Sequence, residues 1–201
     1  MNHPIVVAVT GASGAVYGKR LLEVLLEKGR EVHLTISPSG CEVMSLELKR
    51  SIEPDGFRPE SLLDISDAPG TLHYHHYRDF HSPIASGSYL TGGMVICPCS
   101  GSTLSAVVYA TGNNLIHRAA DVHLKESRKL VLVPRETPLS TLQLDNMKRA
   151  SEAGAIVLPA SPGWYHGVES LQDLVDFVVA RILDQLGVSH SLMTRWGAEE
   201  T

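Results

Sequence analysis

Apolar β-branched runs alternate with amphipathic stretches along most of the chain. Ile5 to Thr10 is such a run, Gly11-Ala12-Ser13-Gly14-Ala15 is a small-residue turn, and Tyr17 to Glu27 carries Leu21, Leu22, Val24, Leu25 and Leu26. Short β-branched runs bounded by turn residues predict strands, and the amphipathic stretch predicts a helix. The pattern recurs with a strand from Glu31 to Ile36 and a helix from Gly40 to Lys49, then a strand from Met94 to Cys97 and a helix from Ser102 to Ala110. A helix is expected over Asn114 to Ser127, a strand over Lys129 to Val133 and a helix from Pro138 to Ala153. The short strand Ala155 to Leu158 and the long helix Ser170 to Leu186 complete the series.

Strands made of near-continuous Val, Ile and Leu, each followed by a helix, predict a parallel sheet covered on both faces. The expected fold class is a three-layer α/β/α, Rossmann-like (flavodoxin-like) parallel sheet, with residues 1–201 forming one domain. Between Pro54 and Ser88 the periodicity breaks, and this polar excursion is expected to hold one helix and one strand.

In an open parallel sheet, ligands bind at the carboxyl ends of the strands, so residues that follow each strand are the informative ones. These are Thr10-Gly11-Ala12-Ser13-Gly14, Ser37-Pro38-Ser39-Gly40, Pro98 to Thr103, Pro134 to Thr137 and Pro159 to Pro162. Three of the five turns offer hydroxyls and glycine amides at a helix N-terminus, the arrangement that holds a phosphate. The first turn lacks G-x-G-x-x-G spacing and Ser37, not an acid, closes the second strand, so a dinucleotide is disfavoured and a mononucleotide such as FMN fits better.

A second set is cationic. Arg118 and Lys125 are seven residues apart on one helix, two turns along one face. Arg135 and Glu136 follow a buried strand, Arg181 lies amid Val178, Val179, Ile182 and Leu183, and Tyr165 follows the last strand. Together these groups predict a site with room for two anions, one on hydroxyls and amides and one on Arg, Lys and Tyr.

Composition narrows the classes. A net charge of -5 with 17 scattered basic residues leaves no electrostatic footprint for nucleic acid or an anionic membrane. No apolar stretch approaches the roughly 20 residues needed to span a bilayer, and a soluble, cytoplasmic protein is expected. Cys97-Pro98-Cys99 has no second cysteine pair to complete tetrahedral ligation, and the run His73-Tyr74-His75-His76-Tyr77 has no accompanying carboxylate or cysteine at ligand spacing. No metal is expected.

The ordered set Gly11 to Ala15, Ala85-Ser86-Gly87-Ser88, Cys97 to Ser100, Arg118 to Val122 with Leu124-Lys125-Glu126, Leu130 to Pro138, Tyr165-His166 and Arg195-Trp196 resembles the flavin prenyltransferases of the UbiX type. The likeness runs from the first strand to Trp196. It implies transfer of a dimethylallyl group from dimethylallyl phosphate to reduced FMN, giving the prenylated flavin used by UbiD-type decarboxylases. It further implies FMN contacts at Gly11, Ala12, Ser13, Ser37, Cys99, Ser100, Gly101, Ser102 and Arg135. Prenyl-phosphate contacts are implied at Ser86, Gly87, Ser88, Arg118, Lys125, Arg135, Glu136, Tyr165 and Arg181. Catalytic roles fall to Ser13, Glu47, Glu136, Lys125 and Trp196. The resemblance also implies a dodecamer in which Tyr165 and Arg181 come from neighbouring protomers.

Cleavage of an allylic carbon–oxygen bond leaves charge on phosphate, so cations belong there and aromatic surface belongs at the carbon. Two other readings compete. An FMN-dependent cysteine decarboxylase of related fold is disfavoured because a Pro-x-Met-Asn-x-x-Met-Trp segment is missing. A non-catalytic flavin-binding protein would leave Arg118, Lys125, Glu136 and Arg181 without a task.

Overall fold

The computed structural model describes residues 3–64, 67–195 and 197. Six parallel strands form one sheet in the order β3-β2-β1-β4-β5-β6, where β1 is Ile5–Val9, β2 Glu31–Ile36, β3 Thr71–Tyr74, β4 Gly93–Cys99, β5 Leu130–Pro134 and β6 Ile156–Val157. The helices are α1 Ala15–Glu27, α2 Pro38–Leu48, α3 Gly101–Val108, α4 Leu115–Lys125, α5 Thr141–Glu152 and α6 Leu171–Leu186.

Side-chain alternation along the strands divides the core in two. Val7, Val9, Leu34, Val95 and Val133 pack with residues of α1, α2 and α6 on one face. Val6, Ala8, Ile96 and Leu132 pack with residues of α3, α4 and α5 on the other. The central strands β1, β4 and β5 are buried along their whole length, which is why each reads as an unbroken apolar run. The three-layer α/β/α architecture is the one expected.

The differences from expectation are local. β4 continues through Pro98 to Cys99, with a register irregularity against β5 between Ile96 and Cys99. α5 begins at Thr141, not Pro138, because Ser140 accepts from Gln143 N and the Gln143 side chain returns to Ser140 N. That capping box fixes the start three residues later. Among its described residues the excursion holds no α-helix: these contain β3 and two three-residue 3₁₀ turns, Pro59–Ser61 and Pro83–Ala85. Of its histidines, His75 packs against the sheet edge while His73 and His81 are exposed. His75 Nε2 lies 2.7 Å from His33 Nδ1, and the Tyr89 hydroxyl lies 2.9 Å from His33 Nε2. Burial, with His33 beside it, pushes His75 down to about 4. Among the described residues, no helix is long and apolar enough to cross a membrane, and no group of three or more His, Cys, Asp or Glu is arranged to hold a metal ion.

Candidate active site

The carboxyl ends of β1, β2, β4 and β5 are stitched together by the residues that follow them. Thr10 Oγ1 donates to Pro98 O at 2.9 Å and accepts from Ser100 N at 2.8 Å, which ties the turn after β1 to the turn after β4. A Cβ on Gly11 would lie 2.5 Å from Ser39 Oγ, so glycine is what lets the first turn approach the start of α2. Arg135, at the end of β5, donates from Nε to Ser13 O at 2.9 Å. Four turns therefore share one surface.

The helix N-termini on this surface are not equivalent. Ser37 Oγ caps α2 by accepting from Gly40 N at 3.0 Å, and Ser100 Oγ caps α3 by accepting from Thr103 N at 3.3 Å. Ser39 Oγ stands 3.2 Å from Ser37 Oγ, and Ser102 Oγ 3.1 Å from Ser100 Oγ, so each of these helices opens on a pair of hydroxyls. α1 has no hydroxyl cap. Its place is taken by the carboxylate of Glu47, which accepts from Gly14 N at 3.0 Å and Ala15 N at 2.8 Å. Partial burial opposes the Glu47 charge, but the Ser13 hydroxyl, the two amides and Arg135 outweigh it and hold the carboxyl below its ordinary range. Glu47 thus takes the two amides that open α1, where α2 and α3 open on hydroxyls.

Glu136 lies next along the edge. It accepts from Thr137 N and from Gln143 Nε2, both at 3.3 Å, while Gln143 Oε1 accepts from Ser140 N at 2.8 Å. A Cβ on Gly101 would be 3.2 Å from Gln143 Nε2, which places this carboxylate's anchor beside the start of α3. Cys99 is buried and its thiol is pushed up to about 12 by that burial, so it forms wall, not nucleophile.

Arg118, Lys125 and the Ser86–Ser88 loop form a separate patch. Arg118 donates from Nε to Ala85 O and from NH1 to Asp121 Oδ2, both at 3.0 Å, and Lys125 Nζ is 3.1 Å from Glu126 Oε1. Arg128 fixes the loop by donating to Gly87 O and Tyr89 O. The chain then enters the sheet from its other end: Gly92 N donates to Pro4 O and Met94 N to Lys129 O. Lys125 and this loop lie at the amino ends of β1, β4 and β5, about 20 Å along β4 from Ser100. Arg118, in the first turn of α4, lies nearer the carboxyl side, since Leu115 N donates to Tyr77 O just beyond β3, so within one chain the expected cationic set is spread along α4.

A third patch lies along α6. Arg181 borders a groove of about 270 Å³ between β6 and α6, with Ser161, Phe177 and Gln185. Tyr165 meets Phe177 edge-on, with ring centroids 5.8 Å apart, and a Cβ on Gly163 would be 3.0 Å from both rings. Arg181 is not a buried cation in need of rescue. It is exposed on the apolar helix and pairs with Asp184 at 2.8 Å. Trp196 lies outside the described residues.

Residues 1–183 match the flavoprotein family model. A flavin prenyltransferase UbiX from Pseudomonas aeruginosa is 49% identical over 197 residues, covering 97% of this chain and 94% of that protein.

The chain belongs to the flavin prenyltransferase UbiX family.

Solved structures of that family superpose along its full length. A crystal structure of AnUbiX in complex with FMN and dimethylallyl pyrophosphate is 36% identical, with a TM-score of 0.85 and complete coverage of both chains. A dodecameric FMN-dependent UbiX-like decarboxylase from Escherichia coli O157:H7 is 38% identical, with a TM-score of 0.82, covering 98% of this chain and all of that one. The FMN-dependent cysteine decarboxylase TvaF reaches a TM-score of 0.60 at 14% identity, a likeness of fold alone. Gln143 and Asp184, which partner Glu136 and Arg181, are residues that the sequence pattern did not single out. The S-x-x-Q spacing of Ser140 and Gln143 and the i,i+3 spacing of Arg181 and Asp184 are the signals that could have found them.

Proposed function

We infer that the chain, as one flavin-binding domain over residues 1–201, is a flavin prenyltransferase that moves a dimethylallyl group from dimethylallyl phosphate to N5 and C6 of reduced FMN. The observation that carries this reading is the stitched carboxyl edge, two hydroxyl-capped helix N-termini beside Arg135 and two carboxylates, in a chain of this family. The donor set suits a flavin mononucleotide phosphate. Ser37, Ser100 and Ser102 supply hydroxyls, Gly101 supplies a backbone amide at the start of α3, and Gly11, Ala12, Ser13 and Cys99 line the approach. Reduced FMN, when bound, supplies the nucleophilic nitrogen and carbon that accept the allyl group.

The remaining chemistry falls to side chains. As the allylic carbon–oxygen bond breaks, its electron pair goes to the phosphate oxygen, and Arg118, Lys125 and Arg181, with Tyr165 and the Ser86–Ser88 loop, hold the charge that develops. Arginine grips two oxygens while lysine acts as a point charge. The N5 proton passes to the released phosphate as the carbon–nitrogen bond forms; ring closure then adds one proton to the prenyl alkene and removes one from C6. Glu136, with only two long contacts of 3.3 Å, is the carboxylate suited to carry them. Glu47, whose oxygens already serve two amides and the Ser13 hydroxyl, orients Ser13 instead.

Because Lys125 lies at the other end of β4 from the hydroxyl-capped turns and Arg181 lines a separate groove, the complete site is assembled between copies in a homo-oligomer, a dodecamer like the E. coli neighbour. The enzyme acts in the cytoplasm and passes its product to a UbiD-type decarboxylase. Anaerobic incubation with reduced FMN and dimethylallyl phosphate is expected to add one dimethylallyl unit to the flavin by mass. Unaltered flavin, with decarboxylation of a cysteine peptide in its place, overturns the reading.

A further inference from the structure

Asp184 stands one turn beyond Arg181 on α6 and gathers three basic side chains. Arg181 NH1 donates to its Oδ2 at 2.8 Å. Arg195, from the segment that follows the helix, donates NH2 to Oδ1 at 2.7 Å and NH1 to Oδ2 at 3.4 Å, a two-pronged grip on both oxygens. His190 Nε2 lies 3.1 Å from Oδ1, with its side chain 1% exposed. The chain can reach back because Gly187 ends α6 in the left-handed region, at φ 72°, and sends residues 188–195 along the helix they have just left.

The geometry has two consequences. One carboxylate faces two guanidinium groups, so local charge remains positive and Arg181, partly exposed on the wall of the groove, keeps donors for an incoming anion. Without the carboxylate, Arg181 and Arg195 would repel each other across the space it fills. A long side chain with several rotamers serves an anion well only if it is already held in place.

We propose that Asp184 is a positioning residue of the prenyl-transfer reaction, holding Arg181 in the orientation that receives the allylic phosphate and latching the following segment through Arg195. This rests on the proposed function, in which Arg181 meets that phosphate. Asp184 touches no reacting atom in it.

The test is steady-state kinetics of full-length Asp184→Asn with reduced FMN and dimethylallyl phosphate, beside the unsubstituted chain. The KM for dimethylallyl phosphate is expected to rise about tenfold, equivalent to about 1.4 kcal/mol, with the dissociation constant of FMN unchanged. In an Arg181→Ala background the same substitution is expected to raise KM by less than about twofold, since Asp184 acts through the side chain removed. Full additivity of the two substitutions, or an unchanged KM in the single variant, overturns the role. Should Asp184→Asn not fold, Asp184→Glu decides. It keeps the charge but pushes Arg181 outward by one methylene, so a KM rise of about threefold is expected, and an unaltered KM overturns the role. Lack of prenylated flavin from the unsubstituted chain would instead sink the proposed function, so the two failures read differently.

Discussion

The two ends of the central strands are built on different terms. At the carboxyl ends, Thr10, Arg135, Glu47 and Gln143 link turns that are up to 122 residues apart in sequence, and the polar groups are largely oriented by partners within the chain. At the amino ends, Lys125 is 48% exposed and pairs with Glu126 beside its own helix, while Arg118, two turns earlier on α4, is 41% exposed and pairs with Asp121. Such exposed pairs contribute little to stability, about 0–1 kcal/mol each. The first end is a cradle finished by folding; in the proposed reaction, the second is a charge set completed by the prenyl phosphate.

That contrast makes its sharpest prediction at Lys125. Lys125→Ala is expected to leave the melting temperature and FMN binding unchanged while turnover falls about a hundredfold, the usual scale for removing one group that stabilises developing charge. Stopped-flow measurement of flavin prenylation checks it. A large loss of FMN affinity would show that the two ends are not separable. Glu136→Gln breaks the comparison from the other side: FMN stays bound, and turnover is expected to fall about a hundredfold, since in the proposed reaction the carboxylate moves the proton. Full activity would remove Glu136 from the mechanism.

Gly11→Ala acts on the cradle itself. The new methyl would lie 2.5 Å from Ser39 Oγ and 2.6 Å from Ser39 Cβ, so the first turn and the start of α2 must separate. Overpacking of this kind costs about 1–3 kcal/mol. The expected result is a lower melting temperature and weaker FMN binding, with no change in the dependence of rate on dimethylallyl phosphate.

The sequence made one of these ends far more legible than the other. Unbroken apolar runs need no context: the strands expected from Ile5, Met94 and Lys129 became β1, β4 and β5 because a strand buried on both faces has to be apolar throughout. Hydroxyl caps at Ser37 and Ser100 were readable for the same local reason, since each lies beside the helix it caps. The exposed edge was harder. β3 alternates exposed and half-buried positions over only four residues, and short 3₁₀ turns leave no periodicity to find. Glu47 lies 33 residues from the Gly14 amide it accepts from, so only folding, or likeness to a family, connects them. Asp184 carried only its i,i+3 spacing from Arg181, because its other partners, Arg195 and His190, reach it through the turn at Gly187.

Glu47 gives the smallest effect and the finest test of the cradle. Its carboxyl is held below its ordinary range, so the unfolded chain takes up a proton at higher pH than the folded one. Its contribution to stability is therefore present above the pH at which a free glutamate titrates and is lost as pH falls through the lower folded value. Glu47→Gln is expected to cost about 1 kcal/mol near neutral pH, the scale of a lost helix cap reduced by solvent exposure, and to cost nothing once the native carboxyl is protonated. Urea unfolding of both proteins across that range measures the gap. A gap that stays constant with pH would mean that Glu47 acts on α1 by shape and not by charge, and the first turn would then remain open to a phosphate after all.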